Sequence, residues 1–184
     1  MQIRIDAIKD GGLVLESTIA SQDLPMLAEI VSSGDCEFLA PVQVALRAQL
    51  VGELVEVDGS VATTVRFQCG GCLRDYDEVL QSRFDLTYAR ELPAIEDDDS
   101  GEAVELTAED LGIILFHGEE IDLSEAIQEQ VAMALPVRRR CQADCKGLCS
   151  QCGADLNEKD CGCARGNVSL KFAALKDFKI DKPS

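Results

Sequence analysis

Apolar and polar residues alternate with a period of two through much of the first half of the chain. Ile3 and Ile5, then Leu13 and Leu15 after Asp10-Gly11-Gly12, predict two short strands joined by a turn. Over 42–67, VQVALRAQL alternates and VATTVRF is rich in β-branched residues. With Asp58-Gly59 as the turn signal, this predicts a β-hairpin. VLQSRFDLTYAR predicts a further strand, and LGIILFHGEEI a strand and a turn. The period becomes helical in SQDLPMLAEIVSSG, with Asp23 as N-cap, Pro25 in the first turn, Leu24, Leu27, Ala28 and Val31 on one face, and Gly34 at the end. It is clearest in IDLSEAIQEQVAMALP, where Asp122 and Glu125 read as a capping box. There Leu123, Ile127, Val131, Ala134 and Leu135 share a face, and Pro136 stops the helix. A last amphipathic segment, SLKFAALKDF, predicts a closing helix through Leu170, Ala174 and Phe178. Short turns between successive strands favour a meander over a parallel sheet. The expected fold class is α+β, an antiparallel β meander or barrel-like body with one main helix and a C-terminal cysteine-rich module.

Charge divides the chain in two. Residues 1–137 hold 7 Lys and Arg against 28 Asp and Glu, a net of −21, whereas residues 138–184 hold 10 against 6, a net of +4. This sets the expected organisation: an acidic α+β body over 1–137 and a mildly basic module over 138–184. A strongly acidic surface repels nucleic acid and membrane phosphates and attracts basic partners. The run AIEDDDSGEAVE reads as a solvated acidic loop, its carboxylates lacking the ordered spacing of a cation site. No apolar run approaches the roughly 18 residues needed to cross a bilayer. The segment MQIRIDAIKDGG places an acid at position six and lacks an apolar signal core, so the expected compartment is the cytoplasm, with no membrane partner.

In a reducing compartment, clustered thiols read as metal ligands or redox catalysts rather than disulfides. Six of the nine cysteines fall within CQADCKGLCSQCGADLNEKDCGC, residues 141–163, and two more stand in CGGC at 69–72. Zinc takes four tetrahedral ligands, thiolate foremost, and a CxxC turn places two sulfurs on one side of the ion. Four close pairs make two closed tetrads. The preferred assignment joins Cys69, Cys72, Cys141 and Cys145 around one zinc, and Cys149, Cys152, Cys161 and Cys163 around another. The first would pin the module to the strands. The second would fold a stretch of about 20 residues too short for a core of its own. One zinc with the other thiols free is the alternative. Two such sites add about −4 of formal charge. Arg138, Arg139, Arg140, Lys146 and Arg165 are therefore either neutralising neighbours or candidate RNA contacts.

Other chemistries find less support. A thioredoxin-type CxxC opens a helix, whereas CGGC is followed by acidic, strand-like LRDYDEVLQSRF, which disfavours a thiolate. Cys36, beside Phe38 and Leu39, reads as a small buried hydrophobe. His117, the one histidine, sits at a turn, so no histidine-based catalytic constellation can be assembled. Closed four-thiolate sites leave zinc no open position for catalysis. Phe172 and Phe178, the two aromatics of the basic segment, fit a core-facing helix better than a base-stacking platform. The expectation is a protein that is not an enzyme and has no small-molecule substrate.

CGGC at 69–72, ALPV at 134–137, CKGLCSQCGADLN at 145–157 and CGC at 161–163 together resemble the bacterial YceD family. The order of the N-terminal strands and the closing helix also matches. The resemblance implies a role in the accumulation or processing of large-subunit ribosomal RNA. The family's gene commonly lies beside that of a small ribosomal protein of the large subunit. The family's first CxxC often carries Arg between its cysteines, where this chain has Gly70-Gly71, although Arg74 lies just beyond. Not all members keep the full C-terminal cysteine set, so zinc would serve stability more than activity. Three functions are weighed. The preferred one is a non-enzymatic ribosome-assembly factor whose basic zinc module touches large-subunit rRNA or a precursor particle. The alternative is an acidic escort for a basic ribosomal protein, with no RNA contact. The third is an RNA-processing enzyme, for which Glu96 to Asp99 would have to hold magnesium.

Overall fold

A computed structural model describes residues 1–92, 107–108 and 111–163. Its strands are β1 (Gln2–Arg4), β2 (Leu13–Ile19), β3 (Glu37–Phe38), β4 (Val42–Val51), β5 (Leu54–Gln68), β6 (Asp75–Ala89), β7 (Ile113–Leu115) and β8 (Glu120–Asp122). Its α-helices are α1 (Pro25–Ser32) and α2 (Ser124–Ala134). The fold is α+β, with strand pairing that is mostly antiparallel. The main sheet runs β2-β4-β5-β6-β7, with β3 pairing β5, and β1 and β8 form a separate pair. Among the described residues β2 and β7 end the sheet without meeting, so the barrel-like expectation is corrected to an open, twisted meander. The last strand, β7, joins parallel to β6.

Alternation gives the sheet one buried face. Val42, Val44, Leu46 and Ala48 of β4 and Val55, Val57 and Val61 of β5 point inward, against Leu24 at the start of α1, Leu27 within it, and Ile127 and Val131 of α2. Each such burial contributes on the order of 1.5–3 kcal/mol before the ordering entropy is subtracted. Further along, Val65 and Phe67 of β5 and Leu80 of β6 form a second cluster, on which Ala134 and Leu135 rest. That cluster lies next to the cysteines and carries the α2 end of the chain onto the β5–β6 tip.

Four local expectations are corrected. The β4–β5 turn falls at Gly52-Glu53, because Val51 pairs with Leu54. Asp58 and Gly59 lie within β5, paired with Arg47 and Leu46 on one side and Asp85 and Phe84 on the other. Gly59 leaves room for its neighbours: a Cβ there would stand 2.7 Å from the Phe84 ring and 2.9 Å from the Ala45 carbonyl oxygen. At α1 the N-cap position is Leu24 and Asp23 ends a short 3-10 turn, Pro25 having set the start of the helix one residue later. Asp122 ends β8, and its Oδ1 accepts a bond from the Ser124 N–H at 2.9 Å. It holds the entry to α2 without the reciprocal bond of a capping box, since Leu123 occupies the cap position. Ile5 belongs to a 3-10 turn after β1 rather than to the strand. At the other end of α2, Leu135 adopts extended backbone as a residue before proline does.

Candidate metal centre

Strand β5 ends at Gln68 and β6 begins at Asp75, so CGGC occupies the tip between two 15-residue strands. The tip is a tight knuckle. The Cys69 N–H donates to the Arg74 carbonyl at 2.8 Å, and the Leu73 N–H returns to the Cys69 carbonyl at 2.9 Å. CSQC repeats the pattern: the Cys149 N–H donates to the Ala154 carbonyl at 2.8 Å and the Gly153 N–H to the Cys149 carbonyl at 2.8 Å. Each knuckle puts its fifth residue in the left-handed region. That residue is Gly153 (φ 72) in one and Leu73 (φ 61) in the other. Leu73 is the one non-glycine with positive φ among the described residues.

After α2, the chain passes beneath the first knuckle. Gly70 N–H donates to the Arg139 carbonyl at 2.8 Å and Leu148 N–H to the Gly71 carbonyl at 2.9 Å. The approach is close enough to need glycine on both sides, since a Cβ on Gly147 would stand 3.0 Å from the Gly71 carbonyl oxygen. One on Gly71 would stand 3.3 Å from the Cys145 sulfur. This gives Gly71 a packing reason of its own.

The result is two tetrads, in the pairing read from sequence. The sulfurs of Cys69, Cys72, Cys141 and Cys145 all lie within 4.8 Å of one another, and so do those of Cys149, Cys152, Cys161 and Cys163. Cys69 Sγ stands 3.8 Å from Cys145 Sγ, and Cys72 Sγ 3.6 Å from Cys141 Sγ. Four thiolates about 2.3 Å from a central zinc stand about 3.8 Å apart at tetrahedral corners, whereas a disulfide would bring two sulfurs to about 2.05 Å. Both tetrads could therefore hold a metal ion, and the all-sulfur donor set suits a soft or borderline one.

Backbone dipoles ready each site for an ion. As free thiols, Cys69 is held down to about 6, chiefly by the Cys72 backbone N–H and then that of Cys141, against the cost of burial. Cys149 is likewise held down to about 6 by the backbone N–H groups of Cys152 and Gln151. Burial pushes Cys141 up to about 12. Cys163 is pushed up to about 12, first by its hydrogen bond with Cys152 and then by that with Cys161. Thus each tetrad has one sulfur poised as thiolate and one that yields its proton only to a strong competitor such as a cation.

The tetrads differ in their surroundings. Cys69, Cys72 and Cys145 are 0%, 4% and 7% exposed, with Tyr76 and Leu148 packed over them. In the outer tetrad Cys152 is exposed and its three partners are half-buried. Asn157, in the loop between Cys152 and Cys161, reaches the inner tetrad. Its Nδ2 donates to Cys145 Sγ at 3.5 Å and to Asp155 Oδ1 at 2.7 Å, while its Oδ1 accepts from the Lys146 N–H at 2.8 Å. Asp155 in turn meets Arg74 at 3.2 Å. Asp155 and Asn157 were not singled out by the sequence reading, although both lie in the CGADLN stretch.

The basic residues separate by role. Arg139 Nη1 donates to the Asp35 carbonyl at 2.7 Å and to Asp35 Oδ1 at 3.0 Å, and its guanidinium lies 5.6 Å from the centre of the Phe67 ring. Arg140 Nη1 donates to the Cys145 carbonyl at 2.9 Å. Arg138 and Lys146 are exposed. Cys36 is half-buried against the Val65, Phe67 and Leu80 cluster and belongs to neither tetrad. His117 is exposed between β7 and β8. Arg165, Glu96 to Asp99, and the segment SLKFAALKDF with Phe172 and Phe178 lie outside the described residues. Among the described residues no helix is long and apolar enough to cross a membrane.

Comparison with known proteins adds a family. The profile described as large ribosomal RNA subunit accumulation protein YceD matches residues 57–179, a span that contains all eight tetrad cysteines. The chain is 28% identical over 157 residues to an Arabidopsis thaliana protein named large ribosomal RNA subunit accumulation protein YCED homolog 1, chloroplastic, covering 76% of this chain and 49% of that one. A Zea mays protein of the same name is 26% identical over 172 residues, covering 83% and 59%. An uncharacterized Mycobacterium leprae protein is 31% identical over 124 residues, covering 65% and 51%. The chain thus spans about half the length of the curated relatives it matches. No solved structure matches it.

Proposed function

The chain belongs to the YceD family, and from that premise we propose that it serves the accumulation of large-subunit ribosomal RNA as a non-enzymatic assembly factor with two structural zinc ions, acting in the cytoplasm. The observation that carries this reading is the family match across the whole metal centre. Zinc is favoured over other ions by eight thiolate donors at tetrahedral spacing and by closed sites that leave no position for substrate. The absence of an open metal position also supports a role other than catalysis.

RNA contact is assigned to Arg138 and Lys146, two exposed cations of the module, because the guanidinium groups of Arg139 and of Arg140, itself exposed, already hold Asp35 and the Cys145 carbonyl. Residues 138–184 carry +4 before the roughly −4 that two four-thiolate zinc sites add, which still leaves the module far less repulsive to RNA than the body at −21 and favours it as the face turned to RNA. The body then keeps the factor from nonspecific RNA, or receives a basic ribosomal protein. An escort that binds such a protein without touching RNA is the second reading, and the −21 body is what favours it.

Co-sedimentation of tagged protein with large-subunit precursor particles, with and without ribonuclease, separates the two. The factor reading expects association that ribonuclease abolishes and that Arg138→Glu with Lys146→Glu weakens by about tenfold or more. Failure to sediment, with a small basic protein retained after ribonuclease, supports the escort and overturns RNA contact.

A further inference from the structure

The two tetrads have the same donors and nearly the same knuckles, yet opposite settings. The inner one closes contacts 69 and 76 residues apart in sequence and lies beneath Tyr76 and Leu148. The outer one is made wholly within residues 149–163, presents Cys152 to solvent, and is framed, among the described residues, by the Leu148–Asp155 β-bridge and the turn bonds of its own knuckle. Gly153 and Gly162, which follow Cys152 and Cys161, have no atom within 4 Å of the place a Cβ would take. Solvent therefore reaches Cys152 directly, and the turns around it are loosely packed.

From this asymmetry we propose that the outer tetrad is an oxidation site for peroxide-class oxidants, at which Cys152 reacts first and its ion is released while the inner tetrad keeps its own. The proposal rests on the two-zinc reading above. The Cys152 thiolate sulfur attacks one peroxide oxygen and the O–O bond breaks. A sulfenic acid forms on Cys152, and the departing hydroxide takes a proton from the buffered solvent, as the second hydroxide does later. A second thiolate of the same tetrad, within 4.8 Å, then attacks the sulfenic sulfur. An S–S bond forms, the S–O bond breaks, and a second hydroxide is protonated. Two thiolates have lost two electrons, one peroxide has become two waters, and zinc has lost two of its four ligands. Among like thiolates, access governs where such oxidation begins, and it favours the outer cysteines, Cys152 above all. Three of the four inner cysteines, Cys69, Cys72 and Cys145, are buried and Cys141 is half-buried, while the sheet's buried face includes none of the outer cysteines. The released stretch would be the one that carries Asn157 and Asp155, which tie the module to Cys145 and Arg74. Oxidation would loosen the module without unfolding the body.

The test uses the full chain purified with its metal under reducing conditions. Metal content is measured first, then hydrogen peroxide is added in steps. Zinc release is followed with a chromogenic chelator and cysteine oxidation by timed peptide mapping. One of two zinc equivalents should leave about tenfold or more faster than the other. In that early phase disulfide should be confined to Cys149, Cys152, Cys161 and Cys163, and a thiol reductant with added zinc should reverse it. Cys152→Ser should slow the early phase. The timed mapping of the unaltered chain decides the matter even where that variant folds poorly. Release of both equivalents at one rate, or oxidation of the inner cysteines first, overturns the proposal. A chain that carries no zinc before peroxide is added overturns the two-zinc reading itself, and the proposal with it.

Discussion

Leu73 and Gly153 hold the same place in two superimposable hydrogen-bonded turns, and only one of them suits it. A side chain in the left-handed region costs roughly 1–2 kcal/mol, and Leu73 is also half-exposed, with little packing to offset that cost. Leu73→Gly should therefore leave stability unchanged or raise it by up to about 1 kcal/mol, the entropy of a freer unfolded chain taking back part of the gain. Urea unfolding of the metal-loaded protein measures this, and a clear loss of stability would show that Leu73 makes contacts that outweigh its strain. The cysteine pairing was legible because CxxC spacing and closed tetrads leave few combinations. The need for glycine after the second cysteine was legible in CSQCG, but its absence in CGGCL carried no warning. Strain of this kind lies in φ, which the sequence does not print. The roles of Asp155 and Asn157 were hidden for a similar reason. A polar residue near clustered cysteines looks like any loop residue until the chain folds back over Cys145.

At the scale of elements, alternation and β-branching revealed the strands, while turn signals misled. Asp58-Gly59 has the composition of a hairpin turn, yet the ladder continues through it because Gly59 makes room for Phe84. Gly59→Val should cost about 1–3 kcal/mol by overpacking, measured as a lower urea midpoint. If Gly59 were instead a turn residue tolerant of a side chain, the midpoint would hardly move. The start of α2 gives a second prediction. The Ser124 N–H and hydroxyl bonds hold the Asp122 carboxyl below its ordinary value of 3.8. Its folded value is thus lower than its unfolded one. The stabilisation is present in full above about pH 4 and fades as pH falls through the lower folded value. Asp122→Ala should cost about 1 kcal/mol at neutral pH and flatten the acid limb of the stability curve. An unchanged acid limb would mean that Asp122 contributes nothing through its charge. The capping box was misread because its spacing was right but the strand β8 ended on Asp122 and moved the helix start along.

For the whole molecule, the inner tetrad is the joint between an acidic sheet and a basic module. Its ligands come from the β5–β6 tip and from the segment beyond α2, so losing it should matter more than losing the locally made outer site. Cys69→Ser should lower stability by about 3 kcal/mol or more, and Cys152→Ser by less, in parallel urea titrations. The charge division was legible from composition alone. The open sheet was not, because whether edges meet depends on twist and on strand lengths that boundaries in sequence do not fix. Nor did sequence alone separate Arg139 and Arg140, whose guanidinium groups bond Asp35 and the Cys145 carbonyl, from Arg138 and Lys146. The most direct test of the account is native mass spectrometry of the protein purified under reducing conditions, repeated on Cys69→Ser. Two zinc ions per chain, with one retained in the variant, is the predicted result. A metal-free chain, or one ion bound in a form that Cys69→Ser leaves untouched, would contradict it.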